Sequence, residues 1–243
     1  MRLRVLTYNV LACKRLERTF DLLNRLDADI ICLQEVLVAA KGRRPSDQAK
    51  WLADALGFQY VSEGRYRYVY GLAGNVILTH YRLESTRVLT GPQGKGFGLG
   101  AIIECAGLRI AVVCGHYAFV PRPLPIGVAV SSFLRTAQVR RTLQWIRQTG
   151  LPAIVAGDLN CLPYMLEYRT IAKQMADCSR AVPVNHRNTR PTWGLPAQID
   201  YIFTSSHFRT LSCSTVNDED NISDHRPVLA DIELILTESG HFM

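Results

Sequence analysis

Residues 151–160 read LPAIVAGDLN. Within them Ala153–Ala156 form a short apolar run with no polar alternation, the pattern of a strand buried on both faces. The run gives way to Asp158-Leu159-Asn160, whose two polar side chains sit two residues apart and so face the same way in extended chain. Just upstream, Thr136–Gln148 has helical spacing, with Val139, Leu143 and Ile146 on one side and Arg140, Arg141 and Arg147 mostly on the other. A buried strand that follows a helix and ends in polar residues is therefore the unit to look for elsewhere.

It recurs. Apolar strands end in Asn9 (LTYNV), Glu35 (IICLQEV), His116 (VVCGHY) and Asp158 with Asn160 (IVAGDLN), and polar residues flank strands at Asp200 (QIDYIF) and Asp224–His225 (SDHRP). Between them the chain predicts strands over Leu3–Val10, Asp29–Leu33, Tyr66–Tyr70, Val76–Leu78, Arg87–Leu89, Ala153–Ala156, Gln198–Phe203 and Val228–Leu234. A hairpin is predicted over Ala101–Glu104 and Leu108–Cys114. Leu16–Leu26 is helical, with Leu16, Phe20, Leu23 and Leu26 in phase, and Asp47–Leu56 is a second helix stopped by Gly57. Many short strands with few helices, no repeats and no linker predict two packed sheets with helices outside, in one domain over residues 1–243.

The composition fits a globular chain: 243 residues, 48% hydrophobic and 20% charged. The net charge of +7 favours an anionic partner such as nucleic acid, a lipid headgroup or a phosphorylated small molecule. Seven cysteines without a C-x-x-C argue against a disulfide framework or zinc cluster, and predict a reducing, cytoplasmic setting. The MRLRVLTYNV start reads as a strand rather than a leader. Ile110–Leu134 is poor in charge, but Pro121, Pro123 and Pro125 argue against a membrane-spanning helix.

A carboxylate after a strand often only caps a turn. Six such points are a different matter, because strands of packed sheets end on common edges and their terminal polar residues can converge. A lone glutamate among oxygen donors is a hard ligand set, suited to Mg²⁺ or Mn²⁺ rather than zinc. Asp158 with Asn160 can orient a water and hold an anionic oxygen. His225, preceded by Asp224 and with Asp200 upstream, can be kept charged beside a phosphate. No G-x-S-x-G, P-loop or H-E-x-x-H is present, which removes support from acyl transfer, an NTP cradle and zincin chemistry.

From TYNV at residue 7 to SDHRP at 223, these motifs in this order resemble the endonuclease/exonuclease/phosphatase superfamily. LQEV, GDLN, IDYIF and SDH are specific jointly rather than singly. The resemblance implies a four-layer α/β sandwich, with two mixed β-sheets packed face to face and helices outside. It also implies one divalent-metal centre and hydrolysis of a phosphoester. By carry-over, Glu35 is the principal metal ligand, with Asn9 and Asp224 near it. Asp158 and Asn160 hold the nucleophilic water and the phosphate, and Asp200 orients His225. His225 binds the scissile phosphate or serves as general base. His116 matches a second histidine that protonates the leaving group in the deoxyribonuclease and sphingomyelinase branches. Asn75 (GNVILTH) and Trp193 (PTW) match a phosphate-side polar group and an aromatic wall. Leu11 stands where apurinic endonucleases carry an acid, which argues against abasic-site repair.

For substrate, the basic-aromatic segments Lys41–Arg44 and Arg65–Tyr70, with Arg65 and Arg67 as binding residues, suit DNA or RNA. The proline-rich stretch Ala118–Phe133 is expected to be a loop after His116 that overhangs the cleft, as a lid or a lipid-facing wedge, or one that packs over its own sheet. GPQGKGFGLG (91–100) is expected to be a hairpin loop. The expected function is a Mg²⁺-dependent (Mn²⁺ also suitable) phosphodiesterase, a nuclease acting as a monomer. The alternative is a phospholipid phosphodiesterase or inositol-phosphate phosphatase.

Overall fold

The computed structural model describes residues 1–42, 45–64, 66–68, 71–92, 94–121, 123, 125–181, 187–190, 197–217 and 222–235. In chain order the elements are β1 (Arg2–Asn9), α1 (Leu16–Leu26), β2 (Ile30–Ala40), α2 (Gln48–Leu56), β3 (Gln59–Ser62), β4 (Tyr66–Tyr68), β5 (Gly71–Thr79), β6 (Arg82–Thr90), β7 (Gly96–Cys105) and β8 (Leu108–His116). They continue with α3 (Ile126–Thr149), β9 (Ala153–Asp158), α4 (Leu166–Ala172), β10 (Ala176–Asp177), β11 (Asp200–Thr204), β12 (Phe208–Thr215) and β13 (Val228–Leu234). Local chemistry sets several ends. Asp47 caps α2 by accepting from Lys50 N at 2.9 Å, and Gly57 closes it in the left-handed region.

The strands form two mixed sheets. One has seven strands, in the order β12-β13-β1-β2-β5-β3 with β4 also on β5; the other has six, β10-β11-β9-β8-β7-β6. Their inner faces share one core, with Val5, Ile30, Cys32 and Ile77 packed against Leu99, Val112, Ile154 and Ile202. The outer face of the first sheet is covered by α1 and α2 through Leu22, Leu23, Leu52 and Ala53. The second sheet is covered by α3 and α4 through Val139, Leu143, Tyr168 and Ile171. This is the four-layer sandwich that the family resemblance implies.

Register explains why polar residues gather on one edge. β1 runs parallel to β2, with Asn9 opposite Gln34, and antiparallel to β13. β8 runs parallel to β9 with His116 opposite Asp158, and β11 runs antiparallel to β9 with Asp200 also opposite Asp158. Strand C-termini and the starts of their antiparallel neighbours therefore share an edge.

Some elements differ from the sequence expectation. α3 begins at Ile126, ten residues before the predicted start, so the second half of the expected Ala118–Phe133 loop is helix. Proline suits this entry, because a helix's first turn has no use for its N–H. The polar-rich β3 and β12 and the short α4 were not legible as elements. The expected 91–100 hairpin loop is shorter in the structure: Gly96–Gly100 already belong to β7, and Gly91 N donates to Lys95 O at 2.7 Å across the connection from β6.

Candidate active site

Asn9, Glu35, His116, Asp158, Asn160, Asp224 and His225 line one cavity of about 570 Å³, and Asp200 lies directly behind it against His225. Asn9 joins the two sheets here. Its Nδ2 donates to Glu35 Oε1 at 3.1 Å and to Asp158 Oδ2 at 3.3 Å, while its Oδ1 accepts from Leu11 N at 3.2 Å. Glu35 sits where the β2–β5 register slips, at φ 60°, and Asn160 is at φ 50°. Positive φ in side-chain-bearing residues is costly, and it persists where the surrounding fold enforces it, often at functional sites.

On the second sheet, Asp158 is 1% exposed. Its Oδ1 accepts from Asn160 N at 2.8 Å, and its Oδ2 lies 3.6 Å from His116 Nε2 and 3.8 Å from His225 Nε2. His116 Nε2 is 3.9 Å from Glu35 Oε1. Asn160 Nδ2 donates to Tyr117 O at 3.1 Å, which fixes the turn after β9. His225 Nδ1 contacts Asp200 Oδ2 at 2.9 Å. Asp224 accepts from Arg190 Nη2 at 3.1 Å.

The electrostatics follow from burial and crowding. Burial pushes the Asp158 carboxyl up from its ordinary value, and the Asp200 charge adds to this; His225, His116 and the Asn160 N–H pull the other way. For His225, burial alone would lower the pKa. The charge and hydrogen bond of Asp200, with Asp158 and Asp224 beyond, outweigh it and hold the imidazole at about 9, so it is charged at neutral pH.

The donor set fits a hard cation. Glu35, Asp158 and Asp224 line one pocket with Asp200 behind it, and the buried Asp200 Oδ1 has no hydrogen-bond partner among the described residues. Asp158, Asp200 and His225 each offer a ligand atom within 4.8 Å of the others.

Not every expected residue joins them. Asn75 is fully buried inside β5, with Nδ2 donating to Glu63 Oε1 at 2.7 Å and to Phe97 O at 3.3 Å, and is not brought to the cavity wall. Arg65 and Trp193 lie outside the described residues, as does the side chain of Arg67. The cavity also takes residues that sequence reasoning missed. Arg190 and Lys95 line it; Arg190 lies just before the PTW that was noted for Trp193, and Lys95 lies in the stretch 91–100 that was noted for its glycines. Thr189, behind the wall, was invisible. Its Oγ1 accepts from Ile199 N at 3.1 Å and Asp200 N at 3.2 Å, and its carbonyl accepts from Arg226 N at 2.7 Å. The apolar wall is Phe119, Val120, Pro121 and Leu134, so the Ala118–Phe133 stretch does flank the cleft.

The family model for the Endonuclease/Exonuclease/phosphatase family matches residues 6–225, which spans every one of these side chains. The chain belongs to the endonuclease/exonuclease/phosphatase family. Solved structures agree in fold. An endonuclease/exonuclease/phosphatase from Beutenbergia cavernae DSM 12333 has a TM-score of 0.78 at 22% identity, covering 98% of this chain and 76% of that one. The human nocturnin catalytic domain with bound sulfate anion has a TM-score of 0.74 at 19% identity, covering 96% of this chain and 94% of that one. A D. rerio TDP2 humanized by 14 mutations has a TM-score of 0.74 at 17% identity, covering 96% and 99%. No curated protein sequence matches the chain. Among the described residues, no helix is long and apolar enough to cross a membrane.

Proposed function

We propose that this member of the family is a Mg²⁺-dependent phosphodiesterase, with Mn²⁺ able to substitute, and that residues 1–243 act as one catalytic domain and a monomer. The observation that carries the reading is the meeting of Glu35 and Asn9 from one sheet with Asp158 and His116 from the other, within 4 Å contacts.

Glu35, with Asn9 and Asp224 beside it, would hold the cation. His225 is a poorer ligand, because an imidazole charged through Asp200 donates protons rather than lone pairs. When bound there, a divalent ion polarises a phosphoryl oxygen and offsets its charge. The protein's own side chains do the rest. Imidazolium His225, locked by Asp200, binds a non-bridging oxygen of the scissile phosphate through Nε2. Asp158, lifted toward neutrality by burial, takes a proton from the attacking water, and the Asn160 N–H fixes its orientation. His116 gives a proton to the departing oxygen. Each well-placed donor of this kind contributes roughly 10²–10³ in rate.

DNA or RNA is the first substrate class, supported by the net charge of +7 and by Lys95 and Arg190 at the pocket. A phospholipid or inositol phosphate is the second, supported by the apolar wall at Phe119–Pro121. The seven cysteines are free and buried, in keeping with a reducing cytoplasmic setting. The test is hydrolysis of bis(p-nitrophenyl) phosphate with Mg²⁺, Mn²⁺ or EDTA, followed by a panel of single-stranded DNA, duplex DNA, RNA, sphingomyelin and inositol phosphates. Metal-dependent turnover that falls at least about a hundredfold in Glu35→Ala, Asp158→Ala and His225→Ala is expected. Near wild-type turnover in any of the three, with the fold intact, overturns the assignment.

A further inference from the structure

We propose that the apolar rim beside the pocket, built by the start of α3, the start of α4 and the Phe119 segment, is a docking surface for an anionic lipid bilayer. Ile126, Val130 and Phe133 follow one another at i, i+4 and i+7, so they form a single stripe along α3. That stripe faces solvent: Ile126 is 59%, Val130 38% and Phe133 71% exposed. Phe119 is 61% exposed, and its neighbour Val120 is tied to the helix by Val120 N donating to Ser131 Oγ at 2.9 Å. Exposed Tyr164 and Leu166 join from the other side, because Ser132 Oγ donates to Glu167 Oε2 at 2.8 Å. Soluble surfaces rarely group so many large apolar side chains without a partner for them.

Two observations select the occupant. First, the charge around the rim is of one sign. α3 contains no Asp or Glu, and the one acid of α4, Glu167, is buried and neutralised by Arg135 Nε at 2.5 Å. Arg140, two turns beyond Phe133 on α3, Arg169 of α4 and Lys173 just after it are exposed, and none is in an ion pair among the described residues. An apolar patch bordered by unpaired cations matches an anionic headgroup layer over acyl chains. Second, the rim is continuous with the pocket: Phe119 and Leu134 belong to both. A second copy of the chain seated here would cover the mouth, whereas a bilayer would put headgroup phosphates at its level. The surface stands whichever phosphoester the pocket cuts.

The experiment is co-sedimentation of the full chain with vesicles of phosphatidylcholine alone or with 30% phosphatidylserine, for wild type and for Ile126→Ser/Phe133→Ser. Neither substituted residue touches the pocket, so bis(p-nitrophenyl) phosphate turnover of the variant reports that the fold and site are intact. Wild type is expected to bind the anionic vesicles roughly tenfold better than neutral ones, with binding weakened by salt and lost by at least about tenfold in the variant. Absence of vesicle binding overturns the proposal, as does binding that the variant retains. Light scattering and an oligonucleotide-binding arm cover the other occupants. A dimer, or oligonucleotide binding, that the variant abolishes while vesicles are ignored reassigns the surface. Vesicle binding without any phosphodiester turnover would keep this proposal and remove the proposed activity, so the two fail separately.

Discussion

At the residue scale the site depends on how a buried histidine is kept charged. His225 is raised to about 9 from an ordinary value near 6.5 by Asp200, against the pull of burial. A group whose pKa is raised on folding stabilises the native state fully below its unfolded value, and that contribution is lost as pH rises through the folded one. In EDTA, stability from this pair is therefore expected to be flat below about pH 6.5 and to decline toward pH 9, by about 3 kcal/mol in all. Asp200→Asn should flatten the decline, and denaturant unfolding at stepped pH measures it; an unchanged slope in Asp200→Asn would refute the coupling. Thr189 is the second residue of consequence, because it anchors Asp200 and the His225 loop together. Thr189→Val leaves two buried N–H groups without an acceptor, costing about 1–3 kcal/mol. It should lower kcat roughly tenfold to a hundredfold with little change in KM, and Thr189→Ser should restore it. Strand-end polar residues such as Glu35 and His225 were legible because their chemistry is written in their side chains. Thr189 was not, since a threonine acquires such a role only from the backbone groups that tertiary structure brings to it.

At the element scale, two contacts carry the geometry. β8 and β9 approach at Gly115 and Gly157, one residue before His116 and Asp158. A Cβ on Gly157, whose φ is 153°, would lie 1.9 Å from Gly115 O. Gly157→Ala must therefore push the strands apart where both site residues emerge. It should cost at least about 1–3 kcal/mol and depress turnover more than stability alone explains, which thermal unfolding alongside kinetics will separate. Arg135 on α3 is buried against Glu167 of α4 and donates to Ala118 O at 3.2 Å, so it ties both helices to the segment after His116. Arg135→Ala strands a buried carboxylate and should cost about 3–5 kcal/mol by urea unfolding. A loss below 1 kcal/mol would show that the carboxylate is rehydrated. These elements also mark where sequence reading stopped. α1 and β13 have clean periodicity and were legible to the residue. The start of α3 was hidden because its pattern is inverted there: Gly127, Ser131 and Arg135 face inward while Ile126, Val130 and Phe133 face solvent.

At the scale of the whole molecule, the two sheets meet in a core of apolar side chains but end in a seam where carboxylates of both sheets gather. Glu35 comes from one sheet and Asp158 from the other, and Asn9 Nδ2 donates to both. Without a cation, the seam holds carboxylates that repel at short range in a low-dielectric setting. A ligand that binds only the folded state stabilises it in proportion to the logarithm of its concentration over Kd, about 2.7 kcal/mol at a hundredfold excess. On the proposed function, millimolar Mg²⁺ or Mn²⁺ should therefore raise Tm by several degrees, because it offsets the repulsion across the seam. Glu35→Ala makes the sharper case. It removes one of the repelling charges, so the metal-free variant should melt at or above the metal-free wild type while losing the proposed activity, and added cation should leave its Tm unmoved. Differential scanning calorimetry of both proteins in EDTA and in 10 mM Mg²⁺ decides it. If Glu35→Ala shows the same metal-induced rise as wild type, the cation is held elsewhere, and the electrostatic account of why these two sheets converge on one edge fails with it.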